Sequence, residues 1–406
     1  MAKVIKKKQL GVGELKVSAQ AIKLVNQVLQ SSRLSYGPFH RSLERMFARA
    51  HDVKYSIFTN SGTSALQIAL HALKSTFGWK DGDEVIVPAI TFVATANIVI
   101  ACRMKPVFVD VDPQTFNIDP KLIQKAITPK TRCIIPVHLL GLPADMAPIM
   151  KIAKQYRLKV IEDSCETMFA HYKGKKVGSI GDIGCFSTYT AHFLVTGVGG
   201  FATTNDRQLS ITMRSLMNHG RDPIYLTIDD DKVSSPDRLR KVIAKRFRFV
   251  DIGYSYRCTE LEAALGVAQM KERNKIIRGR RKNALYLTRR LKKLESKLQL
   301  PSTFLDRDNM FMLYGLVVKD EPKTELINFL EQRGIETREL FPLVNQPVYE
   351  RLFGPGLEDR FPVAKFLNRH AFYIGCHEYF TQKDLDYIIQ AFFDYSQDKR
   401  PVKRGS

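Results

Sequence analysis

No apolar run in this 406-residue chain reaches the roughly 18–20 residues that a membrane-spanning helix needs. The start, Met1-Ala-Lys-Val-Ile-Lys-Lys-Lys8, is basic, but no apolar stretch follows it, which argues against export and for a cytoplasmic protein. The six cysteines (Cys102, Cys133, Cys165, Cys185, Cys258 and Cys376) show no C-x-x-C spacing and read as buried free thiols of a reducing compartment. Internal repeats and low-complexity tracts are absent. Acidic residues are few beside basic ones, 41 against 63, a net charge of +22. Such a field favours anionic ligands. The basic residues are dispersed, however, and the cluster Arg278-Gly-Arg-Arg-Lys282 reads as the solvated face of an amphipathic helix. No nucleic-acid module accompanies them, so nucleic acid is not an expected partner, nor is a membrane.

What is present is a soluble-protein composition, 44% hydrophobic and 26% charged, at a length that suggests two domains. Between about 55 and 205, β-branched runs alternate with helical patterns. Tyr55–Thr59, Glu84–Pro88, Val107–Val111, Cys133–Val137, Lys159–Glu162 and Cys185–Thr188 read as buried strands. Thr63–Lys74, Phe92–Cys102, Pro120–Ala126 and Met146–Arg157 read as helices. This alternation predicts an α/β layer structure around a mainly parallel sheet. A long helical pattern follows over Leu261–Lys297, then a strand at Met310–Val318 and helices at Lys323–Arg333 and Thr381–Phe393. That α+β pattern places a boundary near residue 270: a large domain over 1–270 and a smaller one over 271–406.

Several short motifs carry possible chemistry. Thr59-Asn-Ser-Gly-Thr-Ser-Ala-Leu66 passes from a strand into a helix. Gly62 would let the backbone approach a ligand, and the N–H groups of Gly62, Thr63 and Ser64 would point at a phosphate from the helix N-terminus. Alone, the motif is equally an N-cap. Asp163, in Val160-Ile-Glu-Asp-Ser-Cys-Glu166, closes a hydrophobic strand at the end where open α/β sheets bind ligands; Glu162 beside it reads as structural. Phe92, in Pro88-Ala-Ile-Thr-Phe-Val-Ala-Thr-Ala96, is by itself an ordinary core aromatic. His192 lies in Phe186-Ser-Thr-Tyr-Thr-Ala-His-Phe-Leu-Val-Thr-Gly-Val-Gly-Gly200.

In this order, with Arg33–Phe39, Val107–Asp112, Asp251–Arg257 and Gly334–Arg338, the motifs resemble the DegT/DnrJ/EryC1/StrS family of pyridoxal-phosphate (PLP) sugar aminotransferases over nearly the whole chain. The resemblance implies the fold-type I architecture: a mixed, mainly parallel seven-stranded sheet, a smaller α+β C-terminal domain, and a homodimer whose active sites are completed by the neighbouring subunit. It implies that Gly62 and Thr63 cradle the cofactor phosphate, helped by the Ser187 hydroxyl. Phe92 would lie over the pyridine face, Asp163 would hold the ring nitrogen, and Glu166 would occupy a position that commonly carries glutamine near the ring. Nucleotide sugars, with L-glutamate as amino donor, are the implied substrates.

Four positions depart from the aminotransferase pattern. His192 stands where most members carry the lysine that forms a Schiff base with PLP, and imidazole cannot condense with an aldehyde. Val198 removes a carboxylate from the usual Gly-Glu-Gly-Gly. Ser255 replaces an asparagine that commonly reaches the phosphate from the second subunit, and Val344 a frequent substrate-contacting histidine. Histidine at the lysine position, together with Gly375-Cys-His377, resembles the sugar 3-dehydratases of the family, which make 3-deoxy sugars such as colitose. One related branch carries an iron–sulfur cluster, whose clustered cysteines are not found here; no metal is expected. The resemblance thus implies dehydration of a nucleotide-linked 4-keto-6-deoxyhexose by pyridoxamine phosphate (PMP), with His192 as base. An atypical aminotransferase and a degraded binding homologue are the alternatives. Arg221 and Arg248 are plausible diphosphate partners on charge alone.

Overall fold

The computed structural model describes residues 9–223, 235–341 and 343–398; the basic Met1–Lys8 stretch lies outside them. Its strands are β1 Tyr55–Thr59, β2 Glu84–Pro88, β3 Lys105–Val109, β4 Thr131–Ile134, β5 Lys159–Asp163, β6 His171–Tyr172, β7 Lys175–Lys176, β8 Ile183–Ser187, β9 Gly200–Thr204, β10 Leu298–Gln299, β11 Tyr314–Val318, β12 Thr337–Glu339 and β13 Ala371–Ile374. Seven of them form one mixed sheet in the order β1-β9-β8-β5-β4-β2-β3. Only β9 runs against its neighbours; the other pairings are parallel. Ile57, Val85, Ile86, Val87, Ile134, Val160 and Ile161 are all fully buried, as expected for a sheet covered on both faces.

Helices Gly62–Phe77, Ala94–Ala101 and Arg207–Met217 cover one face. The opposite face is covered by Pro120–Ala126 and Met146–Tyr156 and, nearer β1, β8 and β9, by Ala19–Ser31, Pro38–Ala50 and Glu260–Leu291. Phe47 anchors that second layer, its ring stacked 3.9 Å from Phe201 and edge-on to Phe186. Glu44, one turn earlier, receives both terminal nitrogens of Arg214, at 3.1 and 2.7 Å, and the Phe58 N–H. The Glu260 carboxylate accepts the backbone N–H groups of Gly37, Phe39 and His40 and so caps helix Pro38–Ala50.

Helix Glu260–Leu291 runs unbroken through residue 270. Its first half (Ala263, Ala264, Val267) packs with the large sheet's cluster. Ala284, Leu287 and Leu291 pack instead with a four-stranded antiparallel sheet, β10-β11-β13-β12. Helices Thr324–Gln332 and Gln382–Asp398 back that sheet. The N-terminal segment reaches the same unit: Leu10 pairs with Ile335, and the Val12 N–H donates to Glu336 at 2.8 Å. Among the described residues, no helix is long and apolar enough to cross a membrane.

Several expectations shift: β3, β4 and β8 each begin two residues earlier than expected, and the long helix ends at Leu291. The strand expected at Met310–Val318 begins only at Tyr314, and helix Ala94–Ala101 starts two residues after Phe92. The charge run Arg278–Lys282 is not uniformly solvated, because Arg280 is buried. Arg280 turns inward where its guanidinium meets the Met312 carbonyl and Glu378.

Candidate functional site

The carboxyl ends of β1, β2, β4, β5 and β8 open onto one cavity of about 370 Å³. Sheets of this kind bind ligands at that edge. Gly62, Thr63, Phe92, Asp163, Glu166, Ser187 and His192 all line it.

β1 ends at Thr59, and helix Gly62–Phe77 starts at once, capped by Ser61, whose Oγ accepts the Ser64 N–H at 3.0 Å. The first N–H groups of a helix have no partner within it, and they carry the positive end of its dipole. A Cβ on Gly62 would fall 2.8 Å from Ser187 Cβ and 2.9 Å from Cys165 Sγ, so only glycine lets the helix start sit this close to the end of β8. An anion fits this corner.

Asp163 ends β5 with 4% of its surface exposed. Thr95 Oγ1 donates to its Oδ2 at 2.8 Å and the Cys165 N–H to its Oδ1 at 3.2 Å. Burial raises its pKa, against these donors, so a cationic ring nitrogen nearby would favour the ionised form. Glu166 accepts the Leu140 N–H at 2.8 Å, and burial pushes its pKa up to about 8. Glu162 points elsewhere. It is fully buried and accepts the N–H groups of Gly178, Ile180 and Gly181 plus His138 Nε2, which makes it a structural clamp.

Phe92 is 57% exposed and presents its ring to the cavity, edge-on to Phe341 at 6.4 Å. A large aromatic left open at a cavity wall suits stacking on a flat ligand.

His192 sits in the connection between β8 and β9. The two ends of that connection are joined: Thr188 N–H donates to Gly199, Thr196 N–H donates to Thr188, and the two threonine hydroxyls lie 2.6 Å apart. Phe193, Leu194 and Val195 are buried beneath it, leaving His192 half-buried on the cavity side. Its Nδ1 lies 3.2 Å from the Tyr189 carbonyl. A carbonyl can only accept, so Nδ1 carries the proton and Nε2 holds the lone pair. Burial, opposed by the Tyr189 carbonyl and reinforced by Arg280, lowers the imidazole pKa to about 4.

Other sequence candidates lie elsewhere. Ser255 is not among the lining residues; its hydroxyl meets Arg257 at 3.2 Å. Val344 and His377 are buried and do not line the cavity. Arg221 donates to the Arg246 carbonyl at 2.7 Å and lies against the rings of Phe247 and Phe249, while Arg248 faces Asp222 at 3.3 Å. Residues not anticipated from sequence complete the wall: Val12, Tyr189, Met312, Leu313, Phe341 and Tyr373. Phe341 adopts a φ of +34°, uncommon for a bulky residue, which turns its ring onto Tyr373. No sequence signal marks such a residue, since its place depends on a different unit of the chain.

Comparisons with known proteins bear on the family and the fold. A sequence model of the DegT/DnrJ/EryC1/StrS aminotransferase family matches residues 16–393. The chain is 35% identical, over 88% of its length and 90% of the relative's, to a GDP-perosamine synthase of Caulobacter vibrioides. It is 30% identical, over 89% and 81%, to a dTDP-4-dehydro-2,6-dideoxy-D-glucose 3-dehydratase of Saccharopolyspora spinosa. Among solved structures it superposes on the E. coli GDP-4-keto-6-deoxy-D-mannose-3-dehydratase with bound hydrated PLP. That match has a TM-score of 0.84 and 26% identity, and covers 94% of this chain and 98% of the other.

Proposed function

The chain belongs to the DegT/DnrJ/EryC1/StrS aminotransferase family, and on that premise we propose that it is a PLP/PMP-dependent nucleotide-sugar 3-dehydratase acting on an NDP-4-keto-6-deoxyhexose. The observation that carries this reading is the imidazole of His192, whose free Nε2 is on the cavity side, while no lysine is found among the described lining residues. An enzyme that must return an amine to its product gains from a lysine nucleophile; imidazole cannot form a Schiff base but can move protons.

The residues present fit the cofactor. Gly62, Thr63 and Ser187 would hold its phosphate, Phe92 would stack on its ring, and Asp163 would keep a proton on the ring nitrogen. When bound, the cofactor supplies an amine for the substrate ketone and an electron sink. Nε2 of His192 then takes up a proton in the cavity and delivers it to the departing C3 hydroxyl. A pKa well below neutrality means that this atom begins unprotonated, as a base must. Protonated Glu166 can donate a hydrogen bond at neutral pH, as glutamine would. L-Glutamate would restore the amine form, and Ser255 would face a second subunit's cavity in a homodimer.

The 35% identity to a GDP-perosamine synthase favours a second reading, amine transfer at C4. One assay separates them. The purified protein is incubated with PLP, L-glutamate and GDP-, dTDP- or UDP-4-keto-6-deoxy sugars, and products are followed by mass spectrometry. Loss of water from the sugar with release of ammonia supports dehydration. A stable amino sugar replaces that reading with transamination. The His192→Lys variant is expected to shift products toward amino sugar.

A further inference from the structure

Arg280 sits midway along helix Glu260–Leu291 with 2% of its surface exposed. Its guanidinium meets three separate segments. Nη1 donates to the Met312 carbonyl at 2.6 Å, Nη2 to the His192 carbonyl at 3.4 Å, and Nε lies 3.2 Å from Oε2 of Glu378. The ring of Phe193, next to His192 in the chain, lies 5.2 Å from the same cation. Gly279 makes the approach possible, because a Cβ there would stand 2.5 Å from Glu378 Cβ. A guanidinium is withdrawn from water at a cost, and it is retained where fixed acceptors meet its fork. Here two acceptors, His192 and Met312, belong to the cavity wall, one between β8 and β9 and the other just before β11.

We propose that Arg280 is a positioning residue for His192, tying the backbone of the loop to the C-terminal unit from outside the cavity and standing as a permanent cation behind the imidazole. The charge acts beside the tether. Elements packed around the loop carry other ionisable groups: Asp163 and Glu166 after β5, Tyr189 in the loop itself, Tyr373 in β13, His377 and Glu378 beyond it, and Glu14 and Lys16 near Gly13. The charge that acts on the ring is that of Arg280, which adds to burial in disfavouring imidazolium. A cation behind the ring thus keeps the resting imidazole neutral, with a lone pair on Nε2. The inference rests on His192 being the base of the proposed reaction, but its test needs no turnover.

The test follows the histidine imidazole signals of the purified full-length protein by NMR with labelled histidine. The His192 signal is identified by its loss in His192→Asn. In the wild type the ring is expected to stay neutral down to pH 5. In Arg280→Gln its midpoint should climb measurably toward the ordinary 6.5, with burial still holding it below that value. Arg280→Lys retains the charge and should leave the ring neutral at pH 5. An unchanged midpoint in folded Arg280→Gln overturns the proposal. So does an Arg280→Lys variant that titrates above pH 5.5, and this second criterion decides alone should Arg280→Gln not fold. Transamination with these titrations as expected would remove the dehydratase reading and leave Arg280 in place. Dehydration without them would remove only Arg280.

Discussion

Replacing Glu166 by glutamine should remove the pH dependence of stability that this buried carboxyl imposes. In the folded protein Glu166 has one backbone donor, Leu140, and lies near the equally buried Asp163. Burial and then the Asp163 charge raise its pKa from 4.5 to about 8. The folded state therefore binds this proton more tightly than the unfolded chain. Its favourable contribution is complete below pH 4.5 and disappears as pH rises through 8. At about 1.4 kcal/mol per pH unit, the difference between those limits is about 5 kcal/mol, most of it lost by pH 7.5. Glutamine keeps the acceptor for the Leu140 N–H and has no proton to lose. Urea denaturation of cofactor-free protein, followed by circular dichroism from pH 4.5 to 9, should show Glu166→Gln gaining on the wild type by several kcal/mol as pH rises. Parallel curves, within about 1 kcal/mol across that range, would show that Glu166 ionises freely in the fold and would refute the reasoning.

Other perturbations test separate parts of the structure. Gly62→Ala places a methyl 2.8 Å from Ser187 Cβ; cofactor affinity measured by absorbance titration should fall at least about tenfold, while the circular dichroism spectrum stays native. Phe47→Ala removes a buried ring stacked on Phe201 and should cost about 3–5 kcal/mol in urea denaturation. Arg214→Met strands the buried Glu44 carboxylate and should also cost about 3–5 kcal/mol. The double variant with Glu44→Gln should recover a large part of that loss, and no recovery would mean that the pair does not act as a unit.

How far the sequence reveals this molecule depends on the range of the interactions involved. Tyr55–Thr59 and Glu84–Pro88 are read correctly to the residue, because strands buried on both faces become short β-branched runs between turn signals. β9, Gly-Phe-Ala-Thr-Thr, leaves no comparable trace. Its glycine, alanine and threonines have weak patterning, and it earns its central place by pairing with β1, more than a hundred residues earlier in the chain. The helices over 19–50 pass unread for a similar reason: one is capped by Glu260, more than two hundred positions away. In the cavity, Asp163 is legible because a strand end implies a sheet edge, whereas Phe92, Glu166, Ser187 and His192 stand out through the family resemblance. Phe341, Tyr373 and Val12 are not legible, because their arrival depends on how the C-terminal unit and the N-terminal segment dock. Arg280 is the sharpest case. Within Arg278–Lys282 nothing in the residue types distinguishes the one guanidinium that turns inward.

The connection that carries His192 is held by its threonine pair and by Phe193, Leu194 and Val195, the imidazole adding one bond, from Nδ1 to the Tyr189 carbonyl. Position 192 thus carries little of the loop's packing. If His192 is the base of the proposed reaction, a change there would alter the chemistry with little demand on the scaffold, so new chemistries could be sampled one substitution at a time while the fold stays viable. Diversification of catalytic outcome in such a chain is limited by what the side chain at 192 can do to a proton or a carbonyl, and hardly at all by whether the protein still folds.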